Sequence, residues 1–251
     1  MEKKTKSLVF AVMRLCGITA ILTAVVIGGT AILSIRALSK SAYVAYETTV
    51  DEGYHTEIKS QIQTAMAILR DEYDKFQAGE KTEDQANNDA REIIRNMHYR
   101  DDQSGYFWID GTDGTLVMHS VLEEDEGKNR YLLQDQNGVM ITQEIIKVCQ
   151  TAEKGGFNQF YFTKADGVTV APKIAYSELF EPWGWIVSTG NYIDDMNREK
   201  EDMRTYLDNQ YKNVLTSVIV IFLVMSVVAL VAAFISGKAI VAPLKKIQEF
   251  A

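Results

Sequence analysis

The sequence predicts an α+β domain, with long helices leading into a mixed, mostly antiparallel sheet, held between two membrane-crossing helices. Three observations predict it. Leu15 to Leu33 and Val214 to Ser236 carry no ionisable side chain, and each is long enough to cross a hydrocarbon core of about 30 Å, which takes about 20 helical residues. Apolar residues after Val50 recur at helical spacing. From Gly105 onward the period shortens to that of strands, and turn dipeptides punctuate it.

The two apolar runs organise the chain. Residues 1–14 form a basic N-terminus, 15–35 the first transmembrane helix, 36–213 a domain too long to be a loop, 214–236 the second transmembrane helix, and 237–251 a final basic segment. Lys3, Lys4, Lys6 and Arg14 precede the first span, and Lys238, Lys245 and Lys246 follow the second. Positive flanks at both outer ends put both termini in the cytoplasm and residues 36–213 outside a cell membrane that the chain crosses twice. A cleaved signal peptide is the competing reading of the first run, but its apolar stretch exceeds the usual core of about 7–15 residues and no clean small-x-small site closes it.

Within the middle region, Ile58, Ile62, Ala65, Leu69, Tyr73 and Phe76 form one apolar stripe, and Leu38, Ala42, Ala45 and Val50 extend it back toward the first span. Ala78-Gly79 ends this helix. Thr82, with Gln85 three residues on, is a capping box for a second helix through Ala86, Ala90, Ile93, Ile94 and Met97. Short β-rich runs follow at 106–109, 115–119 and 157–163, separated by Asp110-Gly111, Asp113-Gly114, Asn137-Gly138 and Asp166-Gly167. A helix interrupts at about 140–153, carrying Ile141, Ile145, Val148, Cys149 and Ala152 on one face, with Gly155-Gly156 closing it. Residues 171–177 and 184–190 are the last strands. After Tyr192 the helical period returns and continues into the second span.

Charge restricts the partners. Of 26 basic and 34 acidic residues in the chain, seven and two lie outside residues 36–213, which leaves a net charge of −13 on that stretch. Such a surface repels nucleic acid and anionic lipid alike. Cys16 and Cys149 lie in different regions and cannot pair, so no disulfide framework is expected. The aspartates at the turns lack the alternate-position ligand spacing of a calcium loop. They are expected to be turn residues. His55, His98 and His119 share no metal-ligand spacing, and no nucleophile-elbow, zinc-protease or phosphate-loop motif is present. Neither a metal, a cofactor nor a catalytic activity is expected.

One constellation stands out. Tyr106 and Trp108 share a face of one strand by alternation, and Thr115, Val117 and His119 share a face of the next. Lys173 follows Pro172 in a later strand and precedes Tyr176. A lysine on an aromatic-lined sheet in an acidic domain asks what anion it meets. The other reading is that the aromatics build a sheet core and Lys173 reaches solvent.

The series Gly105-Tyr106-Phe107-Trp108-Ile109, Val117-Met118-His119, Gly127-Lys128, Asp135-Gln136-Asn137-Gly138, Gly156-Phe157, Pro172-Lys173-Ile174-Ala175-Tyr176 and Phe180-Glu181-Pro182-Trp183-Gly184-Trp185, ending in Ser188-Thr189-Gly190-Asn191-Tyr192-Ile193-Asp194-Asp195, resembles the single Cache sensor domain of bacterial transmembrane receptors of the methyl-accepting chemotaxis type. The resemblance covers roughly residues 45–200. Ile240-Val241-Ala242-Pro243-Leu244-Lys245-Lys246-Ile247 resembles the opening of a HAMP helix.

The resemblance implies a PAS-like fold and a homodimeric chemoreceptor input module. It also implies that a small organic acid such as lactate, pyruvate, acetate or propionate binds between the sheet and the loops facing away from the membrane. Tyr106, Trp108, His119, Tyr161 and Lys173 are its implied pocket residues. The chain departs from the family where His119-Ser120 stands for a common His-Pro, and where His98-Tyr99 followed by Arg100 stands for a common Arg-Tyr. His98 and Arg100 are therefore both candidates for the family's arginine. The alternatives are the sensor domain of a histidine kinase, or an anchored structural protein with no ligand.

Overall fold

The computed structural model describes residues 2–164 and 166–249, with side chains described at 10–11, 13–164 and 166–236. Helix α1 (Glu2–Gln77) and helix α2 (Glu83–Arg95) precede strands β1 (Phe107–Gly111) and β2 (Leu116–His119). Helix α3 (Ile141–Val148) then leads to β3 (Gly155–Thr163), β4 (Val170–Phe180) and β5 (Trp185–Tyr192), and helix α4 (Ile193–Glu249) closes the chain. The contacts divide these elements into two compact units, Tyr46–Glu201 and the remainder, Met1–Ala45 with Asp202–Ala251.

The second of these is a helix pair. Both helices contain windows long and apolar enough to cross a membrane, and no part of either window is buried inside the unit. Six hydroxyls are satisfied locally: Thr19, Thr23, Thr30, Thr216, Ser217 and Ser226 all donate to carbonyls three or four residues back, as an apolar medium demands. The HAMP-like segment at 240–247 lies outside the residues described with side chains.

In the Tyr46–Glu201 unit the sheet order is β2-β1-β5-β4-β3. Every pair is antiparallel, so the parallel component that a mixed sheet allows is absent among the described residues. The central strands β1 and β5 are buried along their whole length. Alternation sends their residues to two cores. On one face Phe107, Ile109 and Val187 meet Ile58, Ile62, Leu69, Ala90 and Ile94 of α1 and α2. On the other, Tyr106, Trp108 and Ile186 meet Ile141 and Ile145 of α3, together with Phe160 of β3.

Local chemistry accounts for the element ends. Thr82 Oγ1 accepts from Gln85 N while Gln85 Oε1 accepts from Thr82 N, the expected reciprocal cap. The first turns of α4 are tied back to α1 by Lys200–Asp51 at 2.5 Å and by Tyr46 and Tyr54, which both donate to Glu199 at 3.0 Å. Strand β2 corrects one expectation. Ile109 pairs with Met118 but Asp110 pairs with Leu116, so Val117 is a bulge residue without an opposite. Val117 packs with the helix-side core beside Met118 and does not share a face with His119.

Two glycines give opposite predictions. A Cβ on Gly190 would lie 2.4 Å from the Ile174 carbonyl oxygen and 2.9 Å from Ala175 Cα, both backbone atoms. Gly190→Ala should therefore cost about 3 kcal/mol or more, through overpacking that nothing can relieve. Gly53 is exposed within α1 with nothing within 4 Å of an added Cβ, so Gly53→Ala should gain up to about 1 kcal/mol. Denaturant midpoints of the two variants should move in opposite directions.

Candidate functional site: a small cavity beside Lys173

Lys173 stands in β4 opposite Phe160 of β3 on one side and Tyr192 of β5 on the other. Its side chain is turned away from α1 and is 1% exposed. The ammonium donates to Tyr106 Oη at 2.8 Å. It sits 4.1 Å from the Tyr106 ring centroid, 4.6 Å from Trp108, 5.0 Å from Tyr192 and 5.9 Å from Phe162. Among the described residues no carboxylate lies within ion-pair distance of it. Burial pushes the Lys173 pKa down, against the adjacent Tyr106. Burial alone would raise the Tyr106 phenol, but the ammonium beside it brings its pKa below the usual value. Aromatic faces and one hydroxyl offset only part of the desolvation of a buried ammonium.

A small cavity opens beside this lysine, lined by Trp108, His119, Arg130, Leu133, Ile141, Ile145, Phe160 and Phe162 as well as Lys173 itself. Its free space is on the scale of a single water. It lies in the half of the sheet nearer α4. The opposite end of β4 and β5, Phe180 and Trp185, packs around Trp183, which in turn packs on Tyr73.

His119 is buried, 2% exposed, and faces Trp108 across the β1–β2 ladder. Its Nδ1 accepts from both Val121 N and Leu122 N at 3.0 Å. A ring nitrogen that accepts twice carries no proton, so in the neutral ring the hydrogen is on Nε2, which has no hydrogen-bond partner among the described residues. Burial first, then the Lys173 and Arg130 charges, pushes the His119 pKa down to about 3. The ring is a fixed neutral donor at neutral pH. Glu126 holds this corner: it accepts from His119 N at 2.8 Å and pairs with Arg95 of α2 at 2.6 Å.

Arg130 is the second cation of the site. It reaches the cavity from the long loop after β2 and donates from Nη2 to Asp110 Oδ1 at 2.7 Å. Asp110 was expected to be a turn residue; it lies within β1 and is fully buried. Burial raises its pKa against the opposing pull of Arg130.

The sequence candidates divide cleanly. Tyr106, Trp108, His119 and Lys173 come together. Tyr161 is not among the lining residues: alternation in β3 sends Phe160 and Phe162 into the cavity and Tyr161 to the other face, with its backbone N donating to Asp135. His98 is exposed beyond the end of α2. Arg100 lies on the α1 side, paired with Glu57 at 2.6 Å and stacked 4.6 Å from the Tyr54 ring. Glu57 also accepts from Asn191 at 2.8 Å, so this group fastens α1 to β5 and steadies the left-handed Arg100 backbone, φ 72°. Neither residue lines the cavity.

The model of the family Single Cache domain 2 matches residues 50–205, more than half of the chain. The chain belongs to that family. Its Cache domain is 27% identical over 138 residues to the methyl-accepting chemotaxis protein McpP of Pseudomonas putida, covering 55% of this chain and 25% of that protein. It is also 27% identical over 159 residues to the sensor histidine kinase MctS of Rhizobium johnstonii, covering 63% and 33%. The chain thus spans a quarter to a third of the length of these relatives. Among solved structures, a methyl-accepting chemotaxis protein from Vibrio parahaemolyticus superposes with a TM-score of 0.54 at 28% identity, covering 62% of this chain and 99% of that one. A Cache chemosensory domain solved for the structural basis of carboxylic acid recognition gives 0.54 at 25% identity, covering 58% and 97%. The domain is a Cache sensor of chemoreceptor type flanked by two membrane-capable helices.

His119 makes this Cache domain sensitive to mild acid. Its folded pKa, about 3, lies below the ordinary 6.5, so unfolding takes up a proton between those values. The stability it secures is complete above pH 6.5 and is lost as pH falls toward 3. Between pH 7 and pH 5 the loss should be about 2 kcal/mol. Asp110, with its pKa raised, works in the opposite sense, so the comparison is with His119→Asn, whose amide oxygen can still accept from Val121 and Leu122. The variant should lose about 2 kcal/mol less than the parent over this interval; equal losses would mean that the imidazole titrates freely.

Proposed function

We propose that this chain is the input module of a transmembrane chemoreceptor and that its Cache cavity binds a short monocarboxylate of the size of acetate, propionate, lactate or pyruvate. The observation that carries the reading is the Lys173 ammonium, buried and without a carboxylate partner among the described residues. The buried charges around it are Lys173 and Arg130 against Asp110, with His119 neutral. One positive charge is left over, which a monoanion neutralises and a dicarboxylate overfills. Lys173, the His119 Nε2–H and the free N–H groups of Arg130 supply charge-assisted donors for the carboxylate oxygens. Trp108, Ile141, Ile145, Phe160 and Phe162 supply an apolar wall for the short carbon end. The carboxylic acid recognition described for the similar Cache chemosensory domain supports the same chemistry.

The cavity's size has a consequence for mechanism. A space of one-water scale cannot take even a two-carbon acid unless Lys173 leaves Tyr106 or the loop carrying Arg130 moves outward. Binding and rearrangement are therefore one event, and the ligand stabilises whichever arrangement makes room for it. Affinity is bounded by size: at about −1.5 kcal/mol per heavy atom, acetate binds no tighter than tens of micromolar.

The domain lies outside the cytoplasm in this reading, the chain works as a homodimer, and α4 carries a shift of about 1–2 Å toward a cytoplasmic output. A chemotaxis output is the first choice and a histidine kinase the second, since relatives of both kinds match the same domain. Protease added to intact spheroplasts should cut within residues 36–213; protection of that region with cleavage of both termini would reverse the orientation.

Lys173→Met tests the site, because it keeps side-chain volume and removes only the charge. Acid binding measured by calorimetry should weaken by about 30- to 1,000-fold, the cost of a lost charge-assisted bond. The thermal midpoint should hold or rise, since an unpaired buried charge has been replaced by an apolar chain. A folded Lys173→Met protein that binds its acid as tightly as the parent would remove Lys173 from the site. Ile145→Ala should relax the discrimination between short and longer acids by enlarging the apolar end.

A further inference from the structure

Tyr192 is the last residue of β5, and Ile193 begins α4. Two ammonium groups stand near its ring: Lys173 of the cavity at 5.0 Å from the centroid, and Lys164 of the β3–β4 hairpin, also at 5.0 Å. Its hydroxyl donates to the Thr163 carbonyl at 2.8 Å, next to Lys164, and stands 3.5 Å from Tyr106 Oη, at the outer limit of a hydrogen bond. Tyr106 is the acceptor for Lys173. Lys164 in turn pairs with Asp194 at 2.8 Å and Asp195 at 3.0 Å, both in the first turn of α4.

We propose that Tyr192 is the positioning residue through which the state of Lys173 governs the first turn of α4, with the Lys164 clamp on Asp194 and Asp195 as the part it biases. The proposal rests on the cavity being the sensor site. A group that draws the Lys173 ammonium away from Tyr106 changes the charge and the packing around the Tyr192 ring. The same ring meets Lys164, and its hydroxyl is fastened to Thr163, in the hairpin whose Lys164 grips α4. Among the described residues Tyr192 is the aromatic side chain that meets both lysines. Cavity and helix are thus one side chain apart, within a single compact unit.

A double-mutant cycle on the full chain in lipid nanodiscs, read by hydrogen exchange over residues 193–201, tests this without needing a ligand. Lys173→Met should change exchange there by about threefold or more, while α2 (83–95) serves as the unaffected control. In a Tyr192→Leu background that change should fall to less than half. In Tyr192→Phe, which keeps the ring and loses the hydroxyl links, it should lie between. If the leucine variant fails to fold, the phenylalanine variant decides by itself. An equal response to Lys173→Met in every background, or no response in the parent, overturns the proposal. A second arm adds propionate at a concentration that saturates each variant: exchange at 193–201 should respond in the parent and respond less in Tyr192→Phe. A parent that binds no short acid refutes the carboxylate reading, and the ligand-free cycle still decides the coupling.

Discussion

A buried ammonium with no carboxylate partner among the described residues is the constraint on which the rest of this domain turns. Lys173 is held in a box of aromatic faces with a single hydroxyl to donate to, an arrangement that leaves much of its desolvation uncompensated. A protein shaped only for stability would place an apolar side chain there. The surrounding sheet keeps the charge in because it is rigid. Its central strands are buried along their length and the lysine projects from β4, one strand in from the edge. The net acidity of residues 36–213 sharpens the contrast: the general field repels anions, and Lys173 and Arg130 converge against it.

The sheet separates two tasks. Its helix-side face is apolar and pinned by the Arg100–Glu57–Asn191 network, which joins α1 to β5. Its other face carries the polar groups of the cavity, and those other than Lys173 are steadied from behind. Glu126 and Arg95 hold the backbone of His119, and Asp110 holds Arg130. Asp135 ties the loop before α3 to the edge strand, accepting from Asn137, Val139 and Tyr161. The cavity is therefore preorganised on three sides, and the freedom left to it lies in Lys173, Tyr106 and Tyr192, next to the start of α4.

Much of this was legible in the sequence because its signals are local. The 3.6-residue spacing of Ile58, Ile62, Ala65 and Leu69, the Thr82–Gln85 cap and the Asn137-Gly138 turn each follow from a few neighbouring residues. Alternation correctly joined Tyr106 to Trp108. It failed for Val117, where a bulge adds one residue. Tyr161 came from the family resemblance, and alternation in β3 sets Phe160 and Phe162 along the cavity instead. Arg130 was missed because it arrives from a loop 20 residues from its partner in sequence. The available signal was Asp110, a carboxylate adjoining Phe107-Trp108-Ile109, which as part of a buried strand must find a cation. His98 and Arg100 were drawn into the site by family resemblance alone, and geometry assigns them to the surface and to the helix-side network.

The account stands or falls on where the carboxylate goes. A crystal structure of the Cache unit grown with propionate answers this most directly. One carboxylate oxygen should lie about 2.8 Å from Lys173 Nζ, within reach of His119 Nε2, with the ethyl group against Trp108 and Ile145. Propionate bound elsewhere, with Lys173 still donating to Tyr106, would contradict it.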